Sequence, residues 1–252
     1  MQRLENESAA NRRPHTRLGV ILPSVNTVVE PWFSKSMPDG VSLHAARMLL
    51  ANSLSADVVR EMDATDGVSA ARQIASCRPA SVAYCCTASS LVQGRSYDQH
   101  LRETVSEICG VPATTGAYAI ERALIALNAY DINVISPYSK ELDDLEHRYF
   151  EECGFQIKNA GNIGITDSFG LAEPSAEALV DLALETWRPG GQAMVITCLN
   201  TYSHEIIGLL ENKLGVPVVT ATQATLWHLL ELAGVGGGDR PYGRLFSCRL
   251  QS

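Results

Sequence analysis

The chain has 252 residues, a formal net charge of -8 and 46% hydrophobic residues, ample for a folded core. Its 20 Lys and Arg side chains are scattered apart from Arg12-Arg13, so it lacks the basic stripe that a nucleic-acid partner needs. No apolar run reaches the length of a membrane span, and residues 1–16 lack the apolar stretch of a secretory leader; they are expected to be a disordered tail on a cytoplasmic protein.

The folded part is expected to begin at residue 17. Leu18-Gly-Val-Ile-Leu22 is short, apolar and closed by Pro23, as fully buried parallel strands are. In the loop Pro23-Ser24-Val25-Asn26-Thr27, Asn26 is placed to offer an amide N–H to an anion, with Ser24 and Thr27 expected to cap the next helix. A helical pattern runs from Ala56 to Ser76. A second strand, Ser81-Val-Ala-Tyr84, then breaks into Cys85-Cys86-Thr87-Ala-Ser-Ser90, a helix start rich in hydroxyls. Further helices are predicted over Tyr118 to Asn128, Ser139 to Cys153, Ser175 to Thr186, His204 to Lys213 and Ala221 to Leu232. Between them lie strand-like Ile132-Asn-Val-Ile135, which leads into Ser136-Pro-Tyr138, and Ala193-Met-Val-Ile196, which leads into Thr197-Cys198-Leu199-Asn200. The run Gly234-Val-Gly-Gly-Gly238 follows a helix rather than a strand, so it reads as a linker and not as a phosphate loop. Strands alternating with helices in this way predict an α/β protein with parallel sheets covered on both faces.

The chain also looks duplicated. Gly19-Val-Ile-Leu-Pro-Ser24 has a counterpart in Asn133-Val-Ile-Ser-Pro-Tyr138, and Gly110-Val-Pro-Ala-Thr-Thr115 in Gly215-Val-Pro-Val-Val-Thr220. Cys86 and Cys198 end equivalent strands at nearly the same offset. Two similar α/β lobes follow, residues 17–117 and 118–252, expected to exchange terminal helices; the family resemblance given below implies that they are pseudo-symmetric and Rossmann-like. Open parallel sheets bind ligands at the carboxyl ends of their strands, so the active site is expected in the cleft between the lobes.

Seven cysteines without scaffold density indicate reduced thiols. No Cys-x-x-Cys or His-Glu-x-x-His is present, and no metal is expected. Cys77, Cys109, Cys153 and Cys248 read as small buried hydrophobes, and Cys85 as packing, because strand alternation lets one of the pair Cys85-Cys86 face the cleft. Cys86, at a helix start, is expected to have its pKa lowered into roughly the 3.5–7.5 range, as a nucleophile requires. Tyr138 can donate its hydroxyl to a carboxylate. His204 reads as a surface helix histidine and Asp167 as a turn cap.

These segments together resemble the maleate cis-trans isomerase branch of the aspartate/glutamate racemase superfamily, which also contains arylmalonate decarboxylases. The likeness runs from Arg17 to Val235 and rests on Pro23-Ser-Val-Asn-Thr27, Ala83-Tyr-Cys-Cys86, Ser136-Pro-Tyr138, Thr197-Cys198 and Val216-Pro-Val-Val-Thr220. It implies a cofactor-independent isomerase, commonly a homodimer, acting on a small dicarboxylate such as maleate. Cys86 would add to the alkene as thiolate and Cys198 would move a proton on the opposite side. Asn26, Thr87, Tyr138, Ser168 and Leu199 would line the substrate site, with Ser168 standing where the isomerases usually carry Asn. Retention of both cysteines argues against a decarboxylase, since by the resemblance the arylmalonate enzymes keep only the second. An aspartate/glutamate-type racemase and a non-catalytic ligand sensor are the alternative readings.

Overall fold

The computed structural model describes residues 15–236 and 240–250. Residues 1–14 of the expected tail and residues 237–239 of the expected linker lie outside the described residues. The first strand starts earlier than expected: the N–H groups of His15 and Thr16 both donate to Gly40 O, at 3.1 and 3.2 Å, and Thr16 opens strand β1 (Thr16–Pro23).

The first half continues through α1 (Val29–Ser36), β2 (Val41–Met48), α2 (Ala56–Met62), α3 (Val68–Ala75), β3 (Ser81–Tyr84), α4 (Thr87–Gln93), α5 (Arg95–Cys109), β4 (Ala113–Thr115) and α6 (Gly116–Ala126). The second repeats the plan with β5 (Asp131–Tyr138), α7 (Lys140–Glu152), β6 (Gln156–Ile165), α8 (Ala176–Thr186), β7 (Ala193–Ile196), α9 (Ile207–Leu214), β8 (Val218–Thr220) and α10 (Ala221–Leu232). The result is two parallel four-stranded sheets with matching orders, β2-β1-β3-β4 and β6-β5-β7-β8. In each, the two central strands are the short apolar runs of the sequence. β3 and β7 are buried along their whole length, because helices cover both faces of a parallel sheet.

The last helix of each half seals the lobes together. Thr115 and Thr220 end the short strands β4 and β8, and their hydroxyls accept from the N–H of Tyr118 and Gln223, capping α6 and α10 in the same way. α6 and α10 pack on one another; α10 also lies on β3 and β4 of the first sheet, and α6 touches β8 of the second. Ser81 donates to Leu229 O at 2.8 Å, and Thr114 bonds His228 at 2.8 Å, both across this junction. One hydrophobic core runs through both lobes, from Leu18 and Val82 to Val219 and Trp227. Among the described residues, no helix is long and apolar enough to cross a membrane.

The helical pattern Ala56 to Ser76 is interrupted by a π-turn, Asp63–Gly67, between α2 and α3. A π-turn inserts an extra residue into the helical ladder and redirects the side chains around it. Here it buries Asp63.

Candidate active site

Strands β1, β3, β5 and β7 end around one cleft, lined by Cys86, Cys198, Asn26, Thr87, Tyr138 and Leu199 among others. The structure therefore brings together every sequence-predicted site residue except Ser168. Cys86 follows β3 and immediately precedes α4. Cys198 follows β7 with φ of +72°, a left-handed conformation rare for a residue with a Cβ and tolerated where the surroundings hold it.

Both thiols are raised rather than activated, contrary to the lowered pKa expected of Cys86. Burial pushes the Cys86 thiol up to about 12, and the Asp63 carboxylate adds to the rise; the hydroxyl and N–H of Ser89 oppose it without prevailing. Burial also pushes Cys198 up to about 12, against the Asn200 N–H, which lies 3.4 Å from Sγ, and the Tyr138 hydroxyl. Both rest as neutral thiols.

The two loops after the first strands of each lobe reach across the cleft. Tyr138 is buried and its hydroxyl pairs with Thr87 Oγ1 at 3.2 Å. One of these two oxygens must donate to the other, so at most one hydroxyl proton remains, for the Cys198 sulfur or for a ligand. Asn26 Oδ1 accepts from the N–H groups of Val28 and Val29 at 3.0 and 2.9 Å, so Asn26 rather than Ser24 or Thr27 holds the start of α1. Asn26 Nδ2 gives one hydrogen to Leu199 O at 3.2 Å and keeps its second for the cleft. Ser24 instead accepts from Leu50 N at 3.1 Å, and Arg47 braces the loop through the carbonyls of Ser24 and Asn26, at 2.8 and 3.1 Å.

Asn200 escaped the sequence reading. Its Oδ1 accepts from Thr27 N at 3.0 Å and its Nδ2 reaches Val25 O at 3.4 Å, the reciprocal of the tether made by Asn26. Its place two residues after Cys198 was the available signal; the first half has Ala88 at the equivalent position and gives none.

Ser168 is a correction. Its hydroxyl donates to the carbonyls of Ala51 and Asn52, at 2.7 and 3.0 Å, and its N–H donates to Asn52 O at 2.8 Å. With the bridge between Ser53 and Asp167, it clasps the loop after β6 onto the loop after β2, away from the cleft lining. The clasp brings in Leu54 from the first loop and Leu171 from the second, which with Leu50 and Val59 make an apolar wall that the sequence did not suggest. Cys85, expected only to pack, also lines the cleft; its buried thiol donates to Ala83 O at 3.6 Å, and burial raises its pKa strongly.

Asp167 caps its turn by accepting from Gly170 N at 2.7 Å. His204 lies in a 3-10 turn, Ser203–Glu205, rather than on a surface helix, and stacks on Trp32 at 4.3 Å between ring centroids. Burial pushes its pKa down to about 4, and it does not reach the cleft. Among the described residues, no group of three His, Cys, Asp or Glu side chains is arranged to hold a metal ion.

A family model described as arylmalonate decarboxylase matches residues 18–246. The chain belongs to the arylmalonate decarboxylase family. Within it, the chain is 27% identical over 231 residues to arylmalonate decarboxylase of Bordetella bronchiseptica, covering 89% of this chain and 96% of the relative. It is 24% identical over 228 residues to maleate isomerase of Pseudomonas putida, covering 85% and 90%. A maleate cis-trans isomerase from Nocardia farcinica, solved as a Cys-to-Ser variant with a covalently bound succinylcysteine intermediate, shares the fold with a TM-score of 0.86 at 23% identity, covering 94% of this chain and 99% of that one. This arylmalonate decarboxylase family protein is thus related to enzymes of two kinds, isomerases and a decarboxylase.

Proposed function

We propose that the chain is a cofactor-independent cis-trans isomerase of maleate or a substituted maleate, working through a thiolate adduct of Cys86. The observation that carries this reading is that Cys86 and Cys198, from equivalent strands of the two sheets, line one cleft. In the proposed reaction the Cys86 thiolate adds to one olefinic carbon. The π electrons move onto the neighbouring carbon and its carboxylate, and the Cys198 thiol protonates that carbon. Rotation about the resulting single bond, return of the proton to Cys198 and rupture of the C–S bond give the trans alkene. Thr87, Tyr138 and the free hydrogen of Asn26 Nδ2 are neutral donors for the carboxylates, and aimed donors in a water-poor site stabilise developing oxyanion charge.

The apolar wall of Leu50, Leu54, Val59 and Leu171 favours a substrate with a hydrocarbon substituent, such as methylmaleate, over maleate itself. The same wall suits an arylmalonate, so decarboxylation is the second reading. Incubation with maleate, methylmaleate, phenylmalonate, aspartate and glutamate in heavy water, followed by proton NMR, separates them. The expected outcome is conversion of a cis alkene to its trans isomer, abolished in Cys86→Ala. Loss of CO2 from phenylmalonate, or deuterium entering a saturated amino acid, with no action on either alkene, would reject the isomerase in favour of the decarboxylase or the racemase.

A further inference from the structure

Away from the cleft, helices α3 and α5 pack on one another and leave a cavity of about 130 Å³ between them. Protein interiors are close-packed and voids larger than a water are few, so a gap of this size needs a physical reason. It approaches the roughly 150 Å³ of an engineered apolar cavity that takes up benzene. Its walls are Val68 and Ala71 of α3 and Leu101, Val105 and Ile108 of α5, spaced three or four residues apart so that each set shares one helix face. Val68 and His100 are exposed at the rim, whereas Ala71, Leu101 and Val105 are buried.

Into these apolar walls the π-turn, a feature frequent at functional sites, sets a single buried carboxylate. Asp63 accepts from Tyr84 Oη at 2.6 Å and Ser89 Oγ at 2.8 Å on Oδ1, and from Gln93 Nε2 at 2.9 Å and Tyr97 Oη at 3.3 Å on Oδ2. All four donors are neutral, so these bonds leave the charge without a counter-ion. The Tyr97 contact is long for an O–H···O bond, ordinarily about 2.5–3.0 Å, which makes Oδ2 the less well satisfied oxygen. Burial pushes the Asp63 pKa up against all four donors, as for a carboxylate whose charge is incompletely compensated. Gly67, which ends the π-turn, has ordinary helical dihedrals of φ -55° and ψ -50°, where glycine only weakens a helix. A Cβ there would stand 3.3 Å from Tyr84 Oη, so the glycine keeps open the place from which Tyr84 reaches Asp63.

We propose that this cavity binds a small organic amine, with its ammonium group on Asp63 Oδ2 and its hydrocarbon part between α3 and α5. An ammonium group carries three donors and no acceptor. Asp63, Tyr97 and Thr104 all line the cavity, and the two hydroxyl oxygens can accept beside the carboxylate. Hydrogen bonds between an ammonium and a carboxylate are about twice as strong as neutral ones, so the cation supplies what four neutral donors do not. The same carboxylate repels an anion. One carboxylate among aliphatic side chains also falls short of the six or more oxygen ligands, roughly, that a calcium ion takes. No residue lines both this cavity and the cleft, so the assignment stands whether or not the cleft isomerises an alkene.

Benzylamine and benzyl alcohol share a shape and differ in charge, which makes them the probes. Each is titrated calorimetrically into the full chain at neutral pH and about 0.15 M salt, which screens the general attraction of a protein of net charge -8 for cations. Benzylamine is expected to bind one site with a Kd below about 1 mM, at least about tenfold more tightly than benzyl alcohol. Asp63→Asn should erase that preference, bringing the two probes within about twofold of one another. Ala71→Leu fills the apolar part and leaves the carboxylate in place, so it should weaken both probes at least about tenfold. Equal affinity for the two probes in the wild type, no benzylamine binding up to about 10 mM, or benzylamine affinity unchanged by either substitution overturns the proposal. Should Asp63→Asn fail to fold, the wild-type preference and Ala71→Leu decide together.

Discussion

The Thr87–Tyr138 contact is one of the hydrogen bonds in the cleft that join one lobe to the other, and a double-mutant cycle on it tests both the geometry and the assigned chemistry. Thr87→Val is nearly isosteric and leaves Tyr138 Oη with the Cys198 sulfur as its remaining neighbour. Tyr138→Phe leaves the buried Thr87 hydroxyl with no partner. Orphaning one member of a buried pair costs about 1–3 kcal/mol, whereas replacing both with apolar groups of the same shape is close to neutral. The first variant is expected near the low end of that range and the second near the high end. The double variant should lose no more stability than Tyr138→Phe alone, a coupling of about 1 kcal/mol or more. Urea denaturation measures it. Activity should behave oppositely: an oxyanion donor is worth about 100-fold in rate, and removing both hydroxyls cannot restore what either supplies. Additive stability losses would show that the two hydroxyls do not share a bond. A double variant turning over cis alkene at the wild-type rate would remove them from the chemistry.

Two further outcomes are expected. A Cβ on Gly116 would stand 2.5 Å from Leu199 Cδ1 and 3.4 Å from Thr87 Cγ2, so Gly116→Ala should press Leu199 into the cleft. In steady-state kinetics the KM for methylmaleate should rise more than that for maleate; equal effects on both would mean that Leu199 yields elsewhere. The fold should also weaken in alkali, because Cys86 and Cys198 titrate near their ordinary value of 9.0 when unfolded but at about 12 when folded. Between those values the native state binds more protons than the unfolded one, so stability is full below about pH 9 and falls above it, by on the order of 1 kcal/mol per pH unit for each thiol. Urea midpoints from pH 8 to 11 should fall less steeply in Cys198→Ala than in the wild type, and identical slopes would contradict the burial assigned to that thiol.

What the sequence disclosed follows from which features leave a local pattern. β1, β3, β5 and β7 are central strands, buried on both faces, and their mostly apolar runs were legible. Edge strands β2 and β6 are only partly buried, so Ser42, His44 and Arg47 in one and Lys158 and Asn162 in the other dilute the signal, and neither was read as a strand. α5 buries only Asp98, Leu101 and Val105, a stripe too thin to stand out from its charged face. The π-turn was invisible because a single inserted residue does not disturb the helical composition of Ala56 to Ser76. At the site, the repeat picked out Cys86, Cys198 and Tyr138, since duplication marks equivalent loops. Leu50, Leu54, Val59 and Leu171 meet only when the loops after β2 and β6 clasp, and nothing in their sequence spacing anticipates that contact. Ser168 was misplaced for the same reason: its segment does approach the cleft, but its hydroxyl is taken by the backbone of residues 51 and 52.

The duplication supplies two equivalent thiols, and their surroundings then make them unequal. Around Cys86 the first lobe adds Ser89 and the Asp63 carboxylate to which the Ser89 hydroxyl donates. Around Cys198 the second lobe adds the Asn200 N–H, the Tyr138 hydroxyl and the fully buried Glu146, whose carboxyl makes no hydrogen bond of ordinary geometry and faces the Thr197 hydroxyl. Burial lifts the Glu146 carboxyl well above the usual carboxylate range. The symmetric backbone therefore sets where the two sulfurs stand, while Asp63 near Cys86 and Glu146 near Cys198 give the two thiols different surroundings.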